Sequence, residues 1–308
     1  MIAKKPEIAN AYRRRVVPFR SARAAFRAIL QALRIEQGRV LLPAYIGWSP
    51  REGSGVFDPI ASLGLGYGFY NLDLHLRIDL DALRAELNRG DVRVLVIIHY
   101  FGYVDPCYEE AVRIARNHGV FVVEDEAHAM LSDVSGGICG RLGDACIYSL
   151  HKLLPVPSGG AALINDAASP VAQALAADPD CEMPLWGFDL KMIGDKRRAN
   201  ALVLHEMMRD LAPCAEPLFG PPRFGEFPQT YPVIIRNGSR DRLYQEMNAA
   251  GFGVVSLYHT LISQISTDRF SAPARLSRHI LNLPVHQDAS EEELAAMVRE
   301  LARGLRTT

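Results

Sequence analysis

The chain has 308 residues, 49% of them hydrophobic and 22% charged, the balance of an ordinary soluble globular protein with ample apolar material for a core. Its 34 basic and 35 acidic side chains leave a formal charge of −1, which excludes a global field for nucleic acid or an anionic membrane and points to small-molecule partners. Five cysteines (Cys107, Cys139, Cys146, Cys181 and Cys214) contain no C-x-x-C pair and read as reduced thiols; with no apolar run of membrane length and no apolar stretch after residues 1–7, they place the chain in the cytoplasm.

Between about residues 16 and 165, short apolar runs alternate with amphipathic stretches, the pattern of strand-helix-strand units. Ser21 opens a helix through Ala22, Phe26, Ile29, Leu30 and Leu33, closed by Gly38, and Val40 to Leu42 follows as a brief buried strand. Glycines 53, 55, 64, 66 and 68 mark a loop-rich stretch, and Asp79 to Asn88 returns to helix. Val92 to His99 is an interior strand, Tyr108 to His118 a helix stopped by Gly119, and Val120 to Glu124 a parallel strand, which together make a βαβ unit. Ala145 to Ser149 and Ala161 to Ile164 supply two more strands.

A helix is predicted from about Lys196 to Leu211, and prolines 213, 217, 221, 222 and 228 then break the pattern as a domain boundary would. The division is thus 1–212 for a large domain and 213–308 for a small one. The latter holds a strand at Tyr231 to Ile235, a helix at Arg240 to Ala250 ended by Gly251, and a terminal helix at Glu291 to Leu305. No zinc site is expected, because the histidines are scattered and no H-E-x-x-H is present. Gly136-Gly137 and the earlier glycines lack the G-x-G-x-x-G spacing and read as turns.

In an open α/β sheet, functional side chains gather beyond the carboxyl ends of parallel strands. Three strands here end in reactive residues: His99, Asp125, and Ser149 followed by Lys152. Pro43-Ala44-Tyr45, Ile98-His99-Tyr100-Phe101-Gly102, Val123-Glu124-Asp125-Glu126-Ala127-His128-Ala129, Gly143-Asp144-Ala145, Ser149-Leu150-His151-Lys152 and Gly159-Gly160 occur in that order. The ordered set resembles the DegT/DnrJ/EryC1/StrS aminotransferases, and the resemblance resumes at Tyr258-His259 and Leu283-Pro284-Val285-His286.

The resemblance implies an α/β protein of the pyridoxal-phosphate (PLP) transferase fold type I. A large domain with a mostly parallel sheet flanked by helices is joined to a smaller α+β domain. It makes Lys152 the amine that forms an imine with PLP and then shuttles a proton at the substrate's α-carbon. Asp125 keeps the pyridine nitrogen charged, although its local sequence equally suits a helix cap. His128 stands near the ring's phenolic oxygen, and Ser149 with the helix start at Ser21 and Ala22 holds the phosphate. Tyr45 or Trp48 stacks on the ring, and the sequence does not choose between them. His99, Tyr258 and His259 face the substrate.

The implied function is an aminotransferase that passes an amino group from an amino acid donor, glutamate by expectation, to a carbonyl acceptor such as a nucleotide-linked keto-sugar. It would act as a homodimer. Two other readings use the same fold: a PLP-dependent dehydratase or lyase, since His151 precedes Lys152 and some relatives carry histidine at the lysine, and a catalytically idle binding or regulatory protein. Between Ser149 and Gly159 the chain is shorter than the common family form, with Ser158 where an acidic residue is usual. Over 166–228, Lys191, Lys196, Arg197, Arg198 and Asn200 are the candidates for reaching a neighbouring subunit's site.

Overall fold

The computed structural model describes residues 14–306 apart from 182, 184–186 and 238; the opening residues read above for a leader lie outside them. Seven strands form the larger sheet: β1 (Arg15–Phe19), β2 (Arg39–Pro43), β3 (Gly66–Tyr70), β4 (Val92–Ile98), β5 (Phe121–Asp125), β6 (Ala145–Ser149) and β7 (Gly160–Ile164). Their order across the sheet is β1-β7-β6-β5-β4-β2-β3. Strands β3, β2, β4, β5 and β6 run parallel, while β7 is antiparallel to both β6 and β1. Strand β4 is buried from Val94 to Ile98, as a near-continuous Val/Leu/Ile run covered on both faces must be.

The covering helices are α1 (Ala22–Ala32), α2 (Phe57–Ser62), α3 (Leu80–Leu87), α4 (Tyr108–Asn117), α5 (Met130–Val134) and α6 (Pro170–Ala174). Helix α1 buries Ala25, Phe26, Ile29 and Leu30 at helical spacing, and Ser21 caps it, its Oγ accepting from Ala24 N at 3.1 Å. The chain leaves the helix through Arg34, at a φ of 48°, so Arg34 and not Gly38 makes the left-handed turn that ends it.

A three-stranded antiparallel sheet, β8 (Ala215–Pro217), β9 (Thr230–Ile235) and β10 (Ile280–Pro284), is ordered β10-β9-β8. Around it lie α7 (Leu190–Met207), α8 (Arg240–Ala249), α9 (Ser271–His279) and α10 (Glu291–Arg306). Val233, Leu281 and Leu283 from this sheet share a core with Leu243, Met247, Met297 and Leu301 from the helices. Helix α7 serves two cores: Leu190 and Ile193 join Tyr148 and Leu150, while Ala201 and Leu204 join the small sheet. The expected division after residue 212 therefore follows a helix that contributes to both.

Several elements escape the sequence pattern for identifiable reasons. Strand β3 sits at the sheet edge with only Phe69 and Tyr70 buried, so its glycines read as a loop. Strand β8 is three residues long inside the proline cluster. Helix α7 begins at Leu190, ahead of the predicted Lys196, because Asp189 caps it by accepting from Met192 N at 2.9 Å. Among the described residues, no helix is long and apolar enough to cross a membrane.

Candidate active site

Ile98 pairs with Asp125, and Asp125 with Ile147, so β4, β5 and β6 end level with one another and their following loops converge. Side chains alternate between the two faces of a strand, which sends Asp125 to one face and Glu124 to the other. Asp125 is buried, and its Oδ1 accepts from Ala127 N at 2.9 Å. Desolvation raises its carboxyl above the ordinary range, opposed first by the Ala127 amide. A buried carboxylate that lacks a cation in direct contact is suited to a ligand carrying a charged nitrogen.

Lys152 lies in a single helical turn, Leu150 to Lys152, directly after β6. Its Nζ is 3.0 Å from His128 Nε2. On the other side of the imidazole, Phe101 N donates to Nδ1 at 3.3 Å, which assigns the ring proton of neutral His128 to Nε2. That Nε2–H then donates to the lysine, an arrangement that requires the lone pair of a neutral amine. Electrostatics agree with this geometry. Desolvation holds the His128 imidazole well below its usual range, and desolvation lowers the Lys152 amine against the pull of Asp125 and Glu52. Lys152 is exposed as a residue, while its amine at the tip is desolvated and held from within by His128.

Ser149 ends β6 and pairs with Gly160 of β7. A Cβ at Gly160 would stand 2.2 Å from the carbonyl carbon of Ser21 and 2.3 Å from Ala22 N, so only glycine lets the start of α1 approach this end of the sheet. The close approach puts the free amides and positive dipole end of α1 beside the strand that delivers Ser149. For Gly160→Ala we expect a loss of roughly 3 kcal/mol, since the obstruction is backbone and cannot rotate away, together with weaker inorganic phosphate binding. Thermal unfolding and phosphate titration measure both; unchanged stability would show that the approach is not required.

Tyr258 completes the crevice wall. Its ring lies 5.1 Å from Tyr45, 5.5 Å from Tyr100 and 6.0 Å from His128, and its φ of 60° is a strained conformation for a residue with a side chain. Tyr45 is fully buried, its hydroxyl without a hydrogen-bond partner among the described residues, whereas Trp48 is 45% exposed; of the two candidates, Tyr45 belongs to this aromatic wall. Phe101, which the sequence did not single out, adopts a φ of 59° and supplies the amide that orients His128.

One expected substrate-facing residue is placed elsewhere. His99 shares the face of Glu124, the opposite one from Asp125; it is fully buried, with Nε2 2.9 Å from Glu124 Oε2 and its ring against Tyr108. His259 is exposed, its Nδ1 hydrogen-bonded to the Ser256 carbonyl. The candidates for reaching a neighbour are also largely engaged. Arg197 donates to Gln229 O, Arg198 to Arg223 O, Asn200 to His286 O, and Lys191 pairs with Asp195. Lys196 alone of that group is simply an exposed side chain.

The set that does converge is an amine, an imidazole, a desolvated carboxylate, a buried unpartnered phenol, a hydroxyl and a helix N-terminus. These donors suit a flat heteroaromatic cofactor with an aldehyde, a ring nitrogen and a phosphate.

Residues 9–174 match the model of the DegT/DnrJ/EryC1/StrS aminotransferase family. The chain is 23% identical over 262 residues to GDP-perosamine synthase of Caulobacter vibrioides, covering 72% of this chain and 69% of that protein. It is 26% identical over 107 residues to an uncharacterized protein of Methanocaldococcus jannaschii, covering 32% of this chain and 27% of that protein. The fold matches Helicobacter pylori PseC, an aminotransferase involved in the biosynthesis of pseudoaminic acid, with a TM-score of 0.78 at 16% identity over 95% of this chain and 87% of the other.

Proposed function

Because this chain belongs to the DegT/DnrJ/EryC1/StrS aminotransferase family, we propose that it is a PLP-dependent aminotransferase acting on a sugar. The donor is an amino acid of the glutamate class, and the acceptor is a carbonyl carbon of a nucleotide-linked keto-sugar. The family match and the name of the perosamine synthase relative support the sugar class. The single observation that carries the chemistry is the Lys152 amine at 3.0 Å from a His128 whose tautomer leaves that amine its lone pair, in the crevice that also holds Asp125.

PLP, when bound, supplies the electron sink for the negative charge left at the substrate carbon. Lys152 would hold its aldehyde end, Asp125 its ring nitrogen, and Ser149 with the start of α1 its phosphate, while Tyr45 and Tyr258 flank the crevice. Lys152 takes the proton from the α-carbon of the amino donor and returns it in the reverse half of the cycle. His128 would donate to the amine whenever Lys152 is released from the cofactor. The aromatic wall of Tyr45, Tyr100 and Tyr258 excludes water from that proton.

A stoichiometric reaction of the full chain, loaded with PLP, with glutamate is expected to release about one 2-oxoglutarate per site in the absence of any acceptor. Water loss from a keto-sugar with no keto acid formed from any donor would instead place the chain among the dehydratases. We further assign it a homodimeric state, which gel filtration checks, and a cytoplasmic setting consistent with its free cysteines.

A further inference from the structure

Beneath the site, on the face of the sheet opposite Asp125, lies a second group of reactive side chains that the chemistry above does not use. Glu124 accepts from Gly140 N at 2.7 Å, from Gly143 N at 2.6 Å and from His99 Nε2 at 2.9 Å, which assigns the proton of a neutral His99 to Nε2. Among the described residues, the lone pair of His99 Nδ1 is then buried with no hydrogen-bond partner, and the Glu126 carboxyl has only the Asp133 carboxyl beside it, a pair that a proton or a cation must join. A buried lone pair and a buried acid pair converging on one spot are costly to leave as they are and call for an occupant. Cys139, 2% exposed, completes the spot, with the donor atoms of His99, Glu126 and Cys139 all within 4.8 Å of one another.

We propose that His99 Nδ1, the Glu126 carboxylate and Cys139 Sγ form a site for a divalent transition ion of the zinc class, which fixes the strand-end loops carrying Asp125 and His128. Imidazole, carboxylate and thiolate are the three donor types that zinc takes, and four-coordinate zinc adds one further ligand, such as water. Glu124 stands as the carboxylate that orients a ligating histidine through its other ring nitrogen. An adjacent trio, Glu126, Asp133 and Cys146, competes poorly for the ion. Asp133 is already held by Arg14 at 2.6 and 2.9 Å and by the Tyr148 hydroxyl, and the Cys146 thiol donates to Gly140 O at 3.0 Å.

Burial raises the Cys139 thiol and, with the neighbouring Asp133 charge, the Glu126 carboxyl, so an ion binds there in competition with protons. All three ligands are almost wholly enclosed, which makes the ion a structural one taken up during folding. His99, Glu126 and Cys139 come from three separate loops, which is why no spacing motif announced them and the sequence suggested no metal.

The test uses the full chain with its PLP. Refolded with Zn2+ and dialysed, it is expected to retain about one zinc per chain, with sulfur in the first shell by X-ray absorption and a raised melting temperature. Cys139→Ser and Glu126→Gln should each lose the zinc and the zinc-dependent rise, while Cys146→Ser keeps both. No retained zinc in the wild-type chain, a first shell without sulfur, or full retention in Cys139→Ser would overturn the proposal; the first two outcomes need no variant to fold.

Discussion

Replacing Lys152 with alanine is expected to lower the rate of amino transfer by roughly 10⁴-fold or more, with the fold intact. A side chain that moves a proton in the transition state contributes about 10²–10⁴-fold, and here the same amine also makes the covalent attachment to the cofactor. Stability should hardly change, because His128 is the one hydrogen-bond partner of the side chain among the described residues and the residue is exposed. Lys152→Arg gives a sharper version of the experiment. It restores the charge but offers no neutral amine, so it should be as inactive as alanine. If arginine recovers most of the turnover measured with glutamate, the residue acts as a point charge and the assigned role is wrong.

For Asp125→Asn we expect a fall in kcat of about 10²–10³-fold, the scale associated with losing one preorganised electrostatic partner. Asparagine is isosteric, and its oxygen can still accept from Ala127 N, so the strand end keeps its geometry. The stability effect has a definite sign without cofactor. The wild-type carboxyl is raised in the folded chain, so folding favours the protonated acid, and relative stability is lost as pH climbs from the ordinary carboxyl range through the raised one. Asparagine removes that dependence, so the cofactor-free variant should equal or exceed the wild type in thermal stability at neutral pH. A variant that turns over at near wild-type speed would remove Asp125 from the mechanism.

The parts of the fold that the sequence made legible are those where burial is two-sided. Strands β4, β5 and β6 announce themselves as apolar runs, and their ends deliver Asp125, Ser149 and Lys152 as expected. The facing of His99 was hidden because it depends on register. Only once Ile98 is known to pair with Asp125 does alternation place His99 with Glu124 on the far side of the sheet. Glycine content concealed β3 at the edge, and proline content concealed β8. The lowered basicity of Lys152 is a tertiary property: it comes from burial beside His128, whose orientation the amide of Phe101 fixes, and no local pattern records that contact. The placement of Glu126 was equally invisible, since it neighbours Asp125 in sequence yet sits with His99 and Cys139 in the opposite layer.

The central claim is that one amine, Lys152, carries the cofactor. The direct measurement is the visible spectrum of the full chain with PLP before and after borohydride, followed by peptide mapping of the reduced adduct. The account predicts an absorbance band that borohydride abolishes and a label on the peptide containing Lys152. A label on Lys191 or Lys196, or a preparation that binds no reducible PLP, would contradict it.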